Sequence, residues 1–286
     1  MLQFFENAIP YITPIFVIST MLNVGLTQKL ADILEHLKNY PFVLKMLIAN
    51  FIAAPLVMFI MVHFAPFEPT LKAGLLIFSL CAGAPFLIKL TQTAKHKLSL
   101  GAATMILLMV VTVVYVPLAL PAILSGLAVD GWAIANTLGL QMLSPIMIGM
   151  LVVQFLPRQA RKLQPSVGWL GNIALYALIG ATFIGYSSNM LSIVGTGAIL
   201  VGIAFVLAAF GLGYLTGAGK DHLQDIGGLG TAQRNTGAAM IIAVQNFSGY
   251  PDVLVMITLA NSLGIVMLML IARRLSRDNK VEMETV

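Results

Sequence analysis

Charged residues are scarce in this sequence. Only 9% of its 286 residues are Asp, Glu, Lys or Arg, whereas 59% are hydrophobic. This composition excludes a soluble globular domain and indicates a polytopic membrane protein. Cys81 is the single cysteine, which excludes an intrachain disulfide. The first residues lack a basic region and a small-residue cleavage site, so we predict no removable signal peptide.

Catalytic motifs are also missing. The sequence has no phosphate-binding loop, nucleophile elbow or catalytic dyad. Its four histidines fall in predicted loops or at span ends, without metal-ligand spacing. These absences argue against a membrane enzyme, an ATP-driven pump and a bound metal or other cofactor.

Apolar runs of about 20 residues predict an all-α protein with nine transmembrane helices. The predicted spans cover approximately residues 8–26, 41–64, 71–94, 98–124, 132–156, 166–188, 192–216, 223–247 and 252–275.

The basic residues fall almost entirely on one side of this topology. If the nine spans alternate, 13 of the 16 Lys and Arg lie on the same side, Lys72 lies opposite, and two lie within spans. By the positive-inside rule, we predict a multi-pass protein of the cell (inner) membrane with its N-terminus outside and its C-terminus in the cytoplasm. The net charge of +5 then follows from topology and does not indicate nucleic-acid binding.

Polar residues and glycines interrupt the predicted eighth span. Residues 230–238 read Gly-Thr-Ala-Gln-Arg-Asn-Thr-Gly-Ala between two apolar stretches. Such an interruption is tolerated at membrane depth only where protein or a water-filled cavity satisfies the freed backbone groups. In secondary transporters, broken helices come in pairs that meet near the bilayer midplane.

The predicted third span is interrupted as well. Pro85 disfavours helical geometry at Ala84, so one half-helix is predicted to end near Ala82 and another to begin with Pro85 in its first turn. An ordinary kink is the alternative for either break taken alone. Two breaks that each carry a buried cation, Lys89 and Arg234, favour a binding site.

Neither cation has an acidic partner within a predicted span, because all eleven Asp and Glu map to loops, termini or helix ends. A charge at the bilayer centre costs about 2.5–3.5 kcal/mol on the insertion scale. Backbone carbonyls, water or an anion must compensate it, and helix N-termini at the breaks favour a carboxylate. Alternatively, Lys89 snorkels to the interface and Arg234 is structural. Asn50 and Asn261 either bind ligand or join helices.

Three motifs resemble the bile acid:sodium symporter family. They are Gln233-Arg-Asn-Thr-Gly237, Met21-Leu-Asn-Val-Gly-Leu-Thr27 and Asn50-Phe-Ile-Ala-Ala-Pro55, and the similarity continues over nearly the whole chain. The resemblance implies inverted five-helix repeats, in which a core domain with two crossing broken helices works against a mobile panel domain. This chain resembles a member that begins at the family's second helix, which leaves nine.

The resemblance also assigns the spans to domains. The panel would contain spans 8–26, 132–156 and 166–188. The core would contain spans 41–64, 71–94, 98–124, 192–216, 223–247 and 252–275.

Carried over residue by residue, the resemblance implies that Asn235 and Asn261 contact the substrate and that Asn50 replaces a sodium-binding amide. The other sodium ligands are missing. Gly230 stands where the family has a glutamate, Arg234 where it has an amide, and Leu87-Ile88 where it has Ser-Asn. We therefore expect the two cations to stand in for the sodium ions.

The sequence thus predicts a secondary transporter that moves a small organic anion, a carboxylate, across the lipid bilayer by alternating access. A proton-coupled exchanger or efflux carrier of the same fold is one alternative, and a transport-dead receptor for an organic anion is another. The remnants of a sodium site would be Asn50, Thr231 and Gln233. The predicted substrate-binding residues are Asn235, Thr236, Arg234, Gln233, Lys89, Asn261, Asn50 and Pro85.

Overall fold

The computed structural model describes residues 2–124 and 129–284, and these residues form helices joined by short connections, with no strand. The prediction of an all-α protein is therefore confirmed for this part of the chain.

Seven helices are long and apolar enough to cross a membrane. They are α1 (Leu2–Thr27), α3 (Tyr40–Phe64), α6 (Leu98–Ile123), α7 (Gly131–Phe155), α8 (Pro157–Gly185), α10 (Ala198–Gly217) and α13 (Pro251–Glu284), whose apolar part is Pro251–Ser276.

Each of these helices matches one of the predicted spans, and their ends differ by six residues or more at four places. Helix α1 begins at Leu2 rather than near residue 8, and α13 continues to Glu284 rather than ending near residue 275. Helix α8 begins at Pro157 rather than near residue 166, because its basic first turns continue the apolar part without a break. Helix α10 begins at Ala198 rather than near residue 192. Gly195 and Gly197 have φ angles of 92° and 85°, a left-handed conformation that interrupts the helix before it.

The two remaining predicted spans are each divided into a pair of short helices. In the first broken segment, α4 (Pro69–Leu80) and α5 (Phe86–Thr93) are separated by residues 81–85. In the second broken segment, α11 (Asp221–Ala232) and α12 (Thr236–Asn246) are separated by residues 233–235. The breaks lie close to their predicted positions. Three short elements complete the fold: α2 (Leu30–Leu37), α9 (Ser187–Ile193) and the last turn of α10.

A π-helical turn widens each of two long helices just before a proline. In α3 the turn covers Ala49–Ala53 and precedes Pro55, and in α7 it covers Gly139–Leu143 and precedes Pro145. Proline lacks an amide hydrogen and collides with the preceding turn, so the local widening relieves a clash. The turn in α3 carries Asn50, one of the predicted site residues.

Helix α1 packs most extensively against α8 and α7. A second set of contacts joins α10 to α11, α4 to α13, and α5 to α6. Helix α1 also touches α12, the second half of the second broken segment. The space beside the two breaks therefore lies between α1 and α8 on one side and α5, α12 and α13 on the other.

Candidate functional site

Asn235 connects the two breaks. Its backbone amide donates to the carbonyl oxygen of Cys81 at 2.8 Å, and its Nδ2 donates to the carbonyl oxygen of Gly83 at 2.9 Å. Its Oδ1 accepts from the backbone amide of Ala238 at 3.1 Å, which caps the N-terminus of α12. Asn235 is fully buried, so its side chain serves the joint between the broken segments.

Thr112, on α6, bonds to another part of the first break. Its Oγ1 donates to the carbonyl oxygen of Ala82 and accepts from the amide of the same residue, both at 3.0 Å. Protein groups therefore bind the backbone freed by this interruption. The sequence reading missed Thr112, although a lone hydroxyl in the apolar run Val110-Val-Thr-Val-Val114 is a signal for such a role.

A cavity of about 650 Å³ lies beside the breaks. Helices α1 and α8 form one side, and α5, α12, α13 and the second break form the other. Its volume is within the range of about 300–1,000 Å³ that is usual for small-molecule sites. Six of the predicted site residues border it: Pro85, Lys89, Gln233, Arg234, Thr236 and Asn261. Asn50 and Asn235 are buried behind it.

Lys89 is exposed at the border of this cavity, and its Nζ lies 3.5 Å from Oε1 of Gln92. The prediction of a buried cation is therefore wrong for this residue. Lys89 is on the second turn of α5, beyond the break, where the side chain reaches the open space.

Arg234 is buried, as predicted, with 0% of its surface exposed. It forms part of the inner end of the cavity, but because it has no accessible surface, the guanidinium lies behind the wall. Nη1 donates to the carbonyl oxygen of Asn50 at 3.5 Å, and Cζ lies 5.3 Å from the ring centroid of Phe205. The cation therefore rests between the π turn of α3 and an aromatic face on α10.

Several polar atoms of this guanidinium and its neighbours have no hydrogen-bond partner among the described residues. The unpaired donors are Nε and Nη2 of Arg234, and the unpaired acceptors are Oδ1 of Asn50 and Oε1 of Gln233. Nδ2 of Asn50 is engaged, since it donates to the Met46 carbonyl and to Oγ1 of Thr231, both at 2.9 Å. The one oxygen shown in contact with the guanidinium is the neutral carbonyl oxygen of Asn50.

Gly230 has apolar surroundings. A Cβ atom there would lie 3.3 Å from Leu87 Cδ2 and 3.4 Å from both Met46 Cε and Thr104 Cγ2. Leucine, methionine and methyl groups do not ligate a hard cation such as sodium. Among these three neighbours only Thr104 carries a side-chain oxygen, so the groups nearest the position of the expected glutamate are mostly apolar.

Among the residues whose side chains the structure describes, His96 and Asp225 form the one ion pair. The sequence did not predict it. Nε2 of His96 lies 2.7 Å from Oδ2 of Asp225, and the two side chains are 8% and 5% exposed. The pair joins the connection after α5 to α11. The two broken segments are therefore linked at a second place, in addition to the bonds of Asn235. Since 129 residues separate the partners, spacing in the sequence gave no signal.

The sequence matches the sodium bile acid symporter family over residues 14–195. This part includes the first broken segment but ends before the second, where Gly230 and Arg234 lie. No curated protein matches the sequence. Because the match covers more than half of the chain and the helices have the length and apolarity of membrane spans, the chain belongs to the sodium bile acid symporter family of multi-pass membrane transporters.

Proposed function

We propose that this protein is a secondary transporter that moves a small organic anion by alternating access and carries Arg234 as a fixed cation in place of bound sodium. The observation that carries the proposal is the burial of Arg234 beside the carbonyl oxygen of Asn50, without a carboxylate partner among the residues whose side chains the structure describes.

The surroundings of Arg234 support this reading. The carbonyl oxygen beside the guanidinium is of the type that sodium prefers as a ligand. Because the guanidinium itself carries a positive charge, no ion from solution is required there. At the same time, Gly230 and Leu87 stand at positions where the family resemblance leads us to expect sodium ligands. A charge that is permanently present makes substrate binding independent of sodium.

Two broken segments that each cross the bilayer would bring the number of crossings to nine. In this arrangement α1, α7 and α8 form the panel, and the remaining long helices form the core with the crossing broken segments, as an inverted repeat would require. The cavity lies at the boundary of the two groups. A movement of the panel against the core would then open the same cavity to either side of the membrane.

The cavity is proposed to face the cytoplasm in this structure. Gln28, Gln92 and Ser99 border it next to the basic connections that follow α1 and α5. By the positive-inside rule these connections are cytoplasmic. An anion that enters from the cytoplasm would therefore first meet Lys89 and the residues beside it at the cavity border.

The test is the melting temperature of the purified protein with potassium salts of gluconate, hexanoate, cholate and citrate, because a ligand of the folded state raises stability by mass action. Arg234→Gln should weaken binding of the best anion by about tenfold or more, since two unit charges about 10 Å apart interact by ~1.7 kcal/mol at an effective dielectric of 20. Arg273→Gln, at an exposed position on α13, is the control. A requirement for sodium in place of potassium contradicts the proposal.

A proton-coupled exchanger of the same fold is the second candidate, favoured by the buried His96–Asp225 pair. In proteoliposomes loaded with potassium gluconate, it would show flux driven by a pH gradient without sodium. Flux that continues unchanged when the gradient is collapsed rules this candidate out.

A further inference from the structure

We infer that one exposed face of α8 binds an anionic phospholipid of the bilayer, with the lipid phosphate at a group of cations and the acyl chains along the apolar residues that follow. The cations, which we call the basic cluster, are Arg158, Arg161 and Lys162. The inference concerns the surface of α8 and does not depend on the transported substrate.

The three cations of the basic cluster lie on the same face of α8. Their spacing is i, i+3 and i+4, so the side chains leave the helix in similar directions. All three are exposed, and together with Gln159 they border an open hollow of about 390 Å³. A phosphate group in this hollow can accept hydrogen bonds from two guanidinium groups and one ammonium group.

The positive charge of the basic cluster is not balanced by the protein around it. No Asp or Glu occurs between residues 131 and 185, the part of the chain that contains α7 and α8. Among the residues whose side chains the structure describes, none forms an ion pair with the cluster. Helix α8 also begins without a side-chain cap, so the free amides of its first turn add to the positive potential. An anion from outside the chain fits this surface.

Exposed apolar residues continue this face of α8 beyond the basic cluster. Trp169 follows Lys162 by seven residues, which is two helical turns or about 10 Å. Ile173 and Tyr176 follow on the next two turns, and all three side chains are exposed. Tryptophan and tyrosine are typical of the boundary between headgroups and acyl chains. The face therefore changes from charged to aromatic and apolar in the order in which a lipid changes from headgroup to chain.

The length of this face matches one lipid molecule. The 15 residues from Arg161 to Tyr176 correspond to about 22 Å along the helix axis. A bilayer with its headgroups is about 40–45 Å thick, so one leaflet measures about 20–22 Å. A lipid whose phosphate contacts the basic cluster can therefore lie along α8 with its chains against Trp169 and Tyr176. By the positive-inside rule this leaflet would be the cytoplasmic one.

The apolar part of the face favours a phospholipid over a free phosphate ion. A soluble phosphate would use the basic cluster alone, whereas a lipid uses the cluster and the apolar residues together. The positive-inside rule explains why basic residues lie on this side of the membrane. It does not require three of them on one helix face in line with Trp169, an arrangement that suits an anionic headgroup.

Quenching of tryptophan fluorescence by brominated lipids measures which lipid lies beside Trp169. The sequence has one other tryptophan, Trp132, which is exposed on the first turn of α7. Trp132→Phe therefore leaves Trp169 as the reporter. The protein is reconstituted in mixtures of phosphatidylcholine and phosphatidylglycerol in which one lipid or the other is brominated. We expect a relative binding constant at least about fivefold in favour of phosphatidylglycerol, the equivalent of one cation at an anionic surface.

Variants in the Trp132→Phe background assign the preference to the basic cluster. The triple variant Arg158→Gln/Arg161→Gln/Lys162→Gln should reduce the relative binding constant to about one. Arg158→Lys/Arg161→Lys keeps the charge and should retain most of the preference. Arg273→Gln/Arg274→Gln, at exposed positions on α13, is the matched control and should retain it fully.

Salt supplies a test that does not need the triple variant to fold. Because the Debye length falls from about 10 Å at 0.1 M salt to about 3 Å at 1 M, the preference should fall toward one in 1 M potassium chloride. Equal quenching by the two lipids at low salt, or a preference that survives in the triple variant, overturns the inference. So does a preference that inorganic phosphate removes when potassium chloride of the same ionic strength does not, since the site would then bind free phosphate.

Discussion

The first broken segment uses its polar groups to hold the fold together, whereas the second keeps some of its polar groups without partners. At the first break, the backbone of Cys81, Ala82 and Gly83 is bonded to Asn235 and Thr112. At the second, two donors of Arg234 and one acceptor of Gln233 are unpaired.

The cations of the two segments differ in the same way. Lys89 is exposed at the cavity, where water or a ligand can reach it, and Arg234 is enclosed between α3 and α10. The comparison teaches that one sequence signature, a glycine-rich or proline-containing interruption with a cation, can serve two purposes. In the first segment it makes a joint and presents a cation, and in the second it places a permanent charge inside the protein.

The largest expected effect is on the joint between the segments. Asn235→Ala removes the cap of α12, worth about 1 kcal/mol, and leaves the buried carbonyl of Gly83 unpaired at a further cost of about 1–3 kcal/mol. The free energy of unfolding in mixed detergent micelles should therefore fall by about 2–4 kcal/mol. Asn246→Ala, which loses one part-buried bond within its own helix, is the control. A similar small loss in both variants would show that Asn235 does not join the breaks.

The second prediction changes the charge at the second break. Gly230→Glu places a carboxylate four residues before Arg234, and the nearest side-chain atoms, at 3.3–3.4 Å from the new Cβ, must shift by a few tenths of an ångström. Neutralising the fixed cation should weaken the binding of the best anion by about tenfold, following the same ~1.7 kcal/mol estimate for charges about 10 Å apart. Ligand titration by melting temperature measures the change.

Gly230→Gln has nearly the same size without the charge and should retain the affinity. If the Gln variant loses as much affinity as the Glu variant, crowding and not charge explains the effect.

The third prediction concerns the exposed cation. Lys89→Gln should weaken anion binding by about tenfold, the effect of a lost charge-assisted hydrogen bond, while the melting temperature without ligand stays within the range of a surface substitution. Lys72→Gln, at the half-buried fourth residue of α4, is the control. A clear loss of unliganded stability in Lys89→Gln would show that this lysine supports the fold as well.

The smallest expected effect belongs to the second connection between the segments. Unfolding free energies of His96→Gln, Asp225→Asn and the double variant form a cycle, whose coupling energy should be about 1 kcal/mol because both side chains are nearly buried. A coupling near zero would leave the bonds of Asn235 as the link between the segments.

Much of the fold could be predicted from the sequence because membrane spans follow from the length of apolar runs. The first break was predictable for a local reason as well, since Pro85 conflicts with a continuous helix, whereas the glycines before Arg234 lie inside α11 and the second break falls at the polar residues 233–235. The start of α8 at Pro157 was missed because a helix can continue beyond the apolar part.

The connections within the site could not be predicted, because they join distant parts of the chain. The bond from Asn235 to Gly83 spans 152 residues, and the bond from Arg234 to Asn50 spans 184. The burial of a cation has the same origin. Lys89 and Arg234 both lie in largely apolar runs, but the packing of α3 and α10 encloses only Arg234.

The most direct test of the fixed-cation account is equilibrium dialysis of the purified protein against radioactive sodium, with and without potassium gluconate. The account predicts no saturable sodium binding in either condition, because Arg234 already supplies the positive charge. Saturable binding that approaches one or two sodium ions per chain, lost on Asn50→Ala, would contradict it and show that the protein binds sodium through oxygens of the Asn50 cluster.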